Sequence, residues 1–394
     1  MVRIHRVMRA VHLLLMPAAV RVAALNRGSR HMGLLRCCFH GIASLGIAAL
    51  ALTTNAQGAV PVSTVVVADM TYIRPARLVD IDDGRRMNLY CIGHGSPTVI
   101  FGAGLGDQIR AWAMVQPAIA KVTRACSYDR AGLGFSDPSG RLGTAANAVD
   151  DLHRLLMATA IKPPYILVGH SLGGLYMQLF ADGYLSEVAG MVLVDPVSFD
   201  QGRRYDHLDP SMTSENAKFV QSLRTRCLPA AQHGYAGEPK VFKDCVGVPD
   251  PHFSRAFNQA FLANHSTAKY MQAAWSEWAN VFTVSSDEVR AAKRSYGDLP
   301  LIVLSRAPFP RQPDETRAMR DAKNYLWVEL HDDIAALSTR GVNEIVPGAG
   351  HYIQFDRPGI VIDAIRHVIQ ETRRGESPVA ASTPAGKLCG SGPC

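Results

Sequence analysis

Two rhythms of apolar residues alternate along most of the chain. Short runs at residues 97–102, 165–168, 190–194 and 299–305 are mostly apolar, and further strand signals lie at 124–128 and 343–347. That suits strands buried on both faces of a parallel sheet. Stretches with helical spacing lie between them. Trp112, Val115, Ile119 and Val122 predict a helix after the first run, and Ala148, Leu152, Leu155 and Leu156 share one face of a helix over 144–161. Leu175, Met177, Leu179 and Phe180 cluster after the 165–168 run, and Val361, Ile362, Ile365, Val368 and Ile369 stripe a final helix over 358–372. Pro358 suits its first turn. Residues 76–80 and 86–91 read as an opening hairpin that turns at Asp82, Asp83 and Gly84. The pattern predicts an α/β fold with a mostly parallel, doubly wound sheet.

The alternation stops at Val197. Residues 197–298 are polar, helix-prone and strand-poor, interrupted by Pro229, Pro239, Pro249 and Pro251. This is read as an inserted helical cap between two parts of one core, residues 62–196 and 299–373. Phe253, Phe257, Phe261, Met271, Trp275, Trp278 and Phe282 recur near helical spacing within it. Such a stripe is first a packing face of the cap, and second a lining for an acyl group. Residues 374–394 are rich in Gly, Pro and Ser and read as a disordered tail.

Charge changes the picture only at the start. The formal net charge is +7, but seven arginines and no acidic residue precede position 57. Without residues 1–56 the chain has 34 basic and 34 acidic side chains, so a nucleic-acid role has no electrostatic basis. Residues 1–58 read as a targeting segment. Met32, Arg36 and an apolar run at 42–52 form its working part, with small residues for cleavage near Ala56. The run is short for a membrane span, so export to the periplasm or medium is expected, with no stable span in the mature chain. Residues 1–31 are an upstream start or a longer leader. Export permits disulfides. Cys37 and Cys38 leave with the leader, Cys227 and Cys245 lie close together in the cap and are expected to pair, and Cys389 and Cys394 pair or stay mobile. No tight Cys-x-x-Cys spacing suggests a metal.

The chemistry concentrates at Gly169-His170-Ser171-Leu172-Gly173, a Gly-x-Ser-x-Gly pattern between a strand and a helix. A serine hydroxyl is a poor nucleophile unless it is held proud of the backbone beside a base. A sharp strand-to-helix turn does this, and glycine two positions either side relieves the crowding. With residues 129–137, Val192-Leu193-Val194-Asp195-Pro196 and Gly348-Ala349-Gly350-His351, this elbow resembles the α/β-hydrolase family over about residues 70–372. The resemblance implies a Ser-His-acid triad with Ser171 as nucleophile and His351 as base. The acid is Asp195 by preference, at the end of the 190–194 run, and Asp314 otherwise. It implies an oxyanion hole from the Leu105 and Leu172 amides, although Ala103-Gly104 stands where the family often has His-Gly. It makes strands 86–91 and 124–128 neighbours, which pairs Cys91 with Cys126. No metal or organic cofactor is implied.

Other candidates receive plainer readings. His170 is expected to pack behind the site, His331-Asp332-Asp333 to be a solvated helix face, and Asn264-His265-Ser266 to be a glycosylation sequon by pattern only. The expected function is a serine hydrolase acting on a small-molecule carboxylic ester. An amidase or aminopeptidase, a lactonase and a non-catalytic ligand-binding module are the alternatives. Dehalogenation is disfavoured, because that chemistry wants a carboxylate where Ser171 stands. The oligomeric state is not fixed by the sequence.

Overall fold

A computed structural model describes residues 66–82 and 84–375. The expected targeting segment at 1–58, Cys37, Cys38, Cys389 and Cys394, and the tail beyond 375 lie outside the described residues.

The apolar runs become the strands of one sheet: β1 Arg77–Asp82, β2 Arg85–Ile92, β3 Thr98–Gly102, β4 Ala125–Tyr128, β5 Tyr165–His170, β6 Val188–Val194, β7 Leu301–Arg306 and β8 Gly341–Val346. Their order is β1-β2-β4-β3-β5-β6-β7-β8. β1 with β2, and β2 with β4, pair antiparallel, and the remaining pairs are parallel. Every residue of β3, β4, β5 and β7 is buried, as helices on both faces require.

The helices are α1 Gln116–Ile119, α2 Ala145–Ala158, α3 Leu172–Tyr184, α4 Gln201–Leu208, α5 Ser211–Ser222, α6 Leu228–Gln232, α7 Pro239–Val246, α8 Arg255–His265, α9 Ala268–Asn280, α10 Val284–Ala292, α11 Arg317–Ala335, α12 Ile353–Asp356 and α13 Pro358–Gly375. One face of the sheet packs Leu152, Leu155, Leu175 and Phe180 of α2 and α3 into a core cluster. The other packs Trp112, Ile119, Val361, Ile365 and Val368 against Val99, Val168 and Val192.

Two expectations need correction. The helix predicted through Trp112 and Val122 is instead a 3₁₀ turn, Ile109–Trp112, followed by the one-turn α1. Pro117 causes the break, since a proline has no N–H and its ring clashes with the carbonyl four residues before. The inserted segment is anchored on the core through its last helix: α10 packs on α2 and α3, and Val281 and Val289 enter the first core cluster. The His331-Asp332-Asp333 stretch is not a solvated face throughout. It lies on α11, where Asp332 and Asp333 are exposed while His331 is fully buried.

Cys91 sits directly opposite Cys126 in the β2–β4 pairing, and the two are bonded. Cys227 and Cys245 are bonded 18 residues apart within the cap. Closing a loop of that length restricts the unfolded chain, and the chain-entropy model values this at about 3 kcal/mol. A Cys227→Ser/Cys245→Ser variant is therefore expected to lose stability of that order in urea unfolding. An unchanged midpoint would show that the cap does not depend on the crosslink.

Candidate active site

The carboxyl ends of β3, β5, β6 and β8 bring Leu105, Ser171, Asp195 and His351 to one rim. Ser171 is the residue between β5 and α3, with φ 52° and ψ −121°. A non-glycine residue in that region is strained, at about 1–3 kcal/mol, and tight packing holds it there. Its amide donates to Val194 O, and its carbonyl accepts from the Gly174 and Val197 amides. The flanking glycines are required by close approach. A Cβ on Gly169 would lie 2.7 Å from Gly173 O, and one on Gly173 would lie 2.3 Å from Gly102 O.

His351 lies in the loop between β8 and α12, as the sequence suggested, and is 7% exposed, against 6% for Ser171. Its Nδ1 is 2.6 Å from Asp195 Oδ2. Asp195, at the end of β6, is wholly buried and takes φ 44°. Its other oxygen accepts from the Arg306 amide at 2.9 Å and from Trp327 Nε1 at 2.8 Å. Burial pushes the Asp195 carboxyl up, but the hydrogen bond and charge of His351, with Arg306 behind, outweigh it and hold the group down at about 2. The carboxylate is thus ionised and pointed at the imidazole. Asp314 is exposed in the turn before α11, and the His351 ring bonds to Asp195.

His170 ties the serine and histidine segments together. Its Nε2 donates to His351 O at 3.0 Å, and the two rings are 4.7 Å apart. Burial, and then the neighbouring His351, keep this ring well below the usual imidazole range, hence neutral. Behind Asp195, His331 Nε2 donates to Pro196 O at 2.9 Å, and its Nδ1 is 2.5 Å from Ser305 Oγ. Trp327 and His331 fix the turn at Asp195. Neither was expected in this role, because α11 enters only through tertiary packing.

The segment after β3 crosses over the serine, and a Cβ at Gly104 would be 3.3 Å from Ser171 Cβ. The amides of Leu105 and Leu172 donate to no other group among the described residues. Three side chains fix this segment. Asp129 Oδ1 accepts from the Ile109 amide. Arg130 donates to Ala103 O and Gly104 O at 2.6 and 2.7 Å. Glu277 of α9 accepts from the Gly106 amide at 2.8 Å and from Arg130 at 2.6 and 2.9 Å. No local pattern marks this clasp, because Arg130 and Glu277 are 147 residues apart.

Of the remaining candidates, the side chain of Asn264 is engaged on both sides, donating to Gly134 O and accepting from Gln108. It holds the cap to the core. Phe253, Phe257 and Phe261 pack in a cluster with Ile109 and Phe355. Phe261, Met271 and Trp278 line a cavity under the cap. Among the described residues, no group of three or more His, Cys, Asp or Glu side chains could hold a metal ion.

A model of the alpha/beta hydrolase family matches residues 92–364. Protein YqjL of Bacillus subtilis strain 168 is 26% identical over 276 residues, covering 70% of this chain and 85% of that protein. Among solved structures, the epoxide hydrolase CorEH superposes with a TM-score of 0.52 at 16% identity, covering 74% of this chain and 98% of that one. Wild-type DBJA superposes with a TM-score of 0.55 at 15% identity, covering 77% and 100%. At such identities the two structures speak to the fold alone.

Proposed function

Because the chain belongs to the alpha/beta hydrolase family, with a serine at the strand-to-helix elbow, we propose that it is a serine hydrolase cleaving carboxylic esters. Ser171 attacks the ester carbonyl while His351 Nε2 takes its proton. Asp195 holds the ring through Nδ1 and stabilises the imidazolium that forms. The oxygen that becomes negative is met by the Leu105 and Leu172 amides, two donors with no competing acceptor. Collapse returns the proton to the departing alcohol. Water then repeats the sequence on the acyl-enzyme and releases the acid.

The observation that carries this reading is the buried His351–Asp195 contact at 2.6 Å, joined through His170 to a serine held at positive φ. Amides and lactones would use the same groups and are the nearest alternatives. The two disulfides are consistent with an exported enzyme.

Fluorophosphonate labelling tests the reading. The wild type is expected to react at one residue, and Ser171→Ala to remain unlabelled with its circular dichroism intact. A folded wild type that binds ligands yet ignores the reagent would instead be a non-catalytic binding module.

A further inference from the structure

A cavity of about 190 Å³ lies under the cap, and its wall includes Leu105 and Tyr352, the latter next to His351 in the chain. Leu223, Met271 and Trp278 contribute apolar lining, while Asp107, Arg110, Asp250 and His265 contribute polar lining. Asp107 is 3% exposed. Its Oδ1 accepts from the Gln108 amide at 2.9 Å and pairs with Arg110 Nε at 3.1 Å, but its Oδ2 has no hydrogen-bond partner. A buried carboxylate oxygen left unpaired is costly and uncommon. His265, 7% exposed, stacked on Tyr270 and tilted against Phe261, likewise has no partner for Nε2.

The charges favour one kind of occupant. Arg110 is shared between Asp107 and Asp250, its Nη1 lying 3.8 Å from Asp250 Oδ2, with its guanidinium 3.7 Å over the Phe261 ring. A ligand carboxylate would find two Arg110 nitrogens without a hydrogen-bond partner, Nε and Nη1, but it would also meet two carboxylates already ion-paired with that one guanidinium. An alkyl chain would leave Asp107 Oδ2 as it is. An ammonium would supply the missing hydrogen and meet aromatic faces that attract cations.

We propose that this cavity receives a protonated amino group of the substrate, with Asp107 Oδ2 as its main acceptor. This deepens the hydrolase reading and rests on it for the identity of the ligand as substrate. Burial pushes the Asp107 carboxyl up, and a bound cation would draw it back down. The substrate class is then an amino-bearing ester or amide.

Two measurements test this. The first compares the nitrophenyl esters of 6-aminohexanoic and heptanoic acid, which match in length. The wild type is expected to favour the amino ester in kcat/KM by roughly tenfold to a hundredfold, the worth of a hydrogen bond to a charged group. Asp107→Asn is expected to abolish that ratio. The second is calorimetry of pentylamine against pentanol on Ser171→Ala, where the amine should bind at least about tenfold more tightly. Adding Asp107→Asn should remove the difference. Equal turnover of both esters by the wild type, with no preference for the amine in binding, overturns the amino site and leaves the hydrolase reading standing. Amine binding through Asp107 without turnover of either ester does the reverse. The wild-type ester pair and the Ser171→Ala calorimetry decide the matter even if Asp107→Asn does not fold.

Discussion

Replacing Asp195 with asparagine is expected to lower kcat by about four orders of magnitude, the loss typical when a triad acid is changed to its amide. The amide cannot offer two acceptor oxygens. At present one accepts from His351 Nδ1, and the other from the Arg306 amide and the Trp327 indole. Asparagine must turn its NH₂ toward one of these donors, or toward the ring and select the wrong tautomer. Asp314→Asn, at an exposed turn, is expected to leave kcat within about a factor of two. A larger loss in Asp314→Asn than in Asp195→Asn would overturn the assignment. Stability provides a second readout. The folded Asp195 carboxyl titrates at about 2, below the ~3.9 of an unfolded chain. Its pairing therefore stabilises the protein above about pH 4, and that contribution is lost as pH falls toward 2. In Asp195→Asn, this portion of the acid dependence of unfolding should be absent.

The neighbourhood of Asp195 was legible in the sequence only in part. Strands β3, β5, β6 and β7 were visible as apolar runs, because strands buried on both faces have no polar alternation to obscure them. The elbow was visible because close backbone contacts at Gly169 and Gly173 admit no side chain. What brings Asp195 to His351 was not local. Trp327 and His331 come from α11, which packs on β7 and β8, and the surroundings of the Asp195 carboxylate exist only once that helix docks. The same holds for Asp107: in the sequence it is one residue of a glycine-rich turn, and only the cap closing over it leaves a carboxylate oxygen buried and unpaired. Where the sequence misled, the cause was physical too. Helical spacing at Trp112, Val115, Ile119 and Val122 was real, but Pro117 forbade one continuous helix.

The Arg130–Glu277 pair combines stability and catalysis in a way that mutation can separate. Both side chains are nearly fully buried. Arg130→Met would strand a carboxylate inside the protein, at a cost of about 3–5 kcal/mol. It would also free Ala103 O and Gly104 O, and with them the segment that carries the Leu105 amide. If that amide serves the oxyanion, kcat should fall by about 10²–10³-fold, the range seen when one such donor is lost. A loss of stability alone would lower the active fraction without altering the turnover of molecules that remain folded. The double variant Arg130→Met/Glu277→Leu separates the two effects. Replacing both buried charges with apolar groups is often neutral or stabilising, so the melting temperature should return toward the wild-type value. The loop contacts at Ala103 O, Gly104 O and the Gly106 amide stay broken, so kcat should remain low while KM changes little. Recovery of kcat along with stability would mean that the clasp only holds the cap down. Persistent loss in a stable protein would make Arg130 and Glu277 positioning residues, and would make cap closure a condition for forming the oxyanion hole.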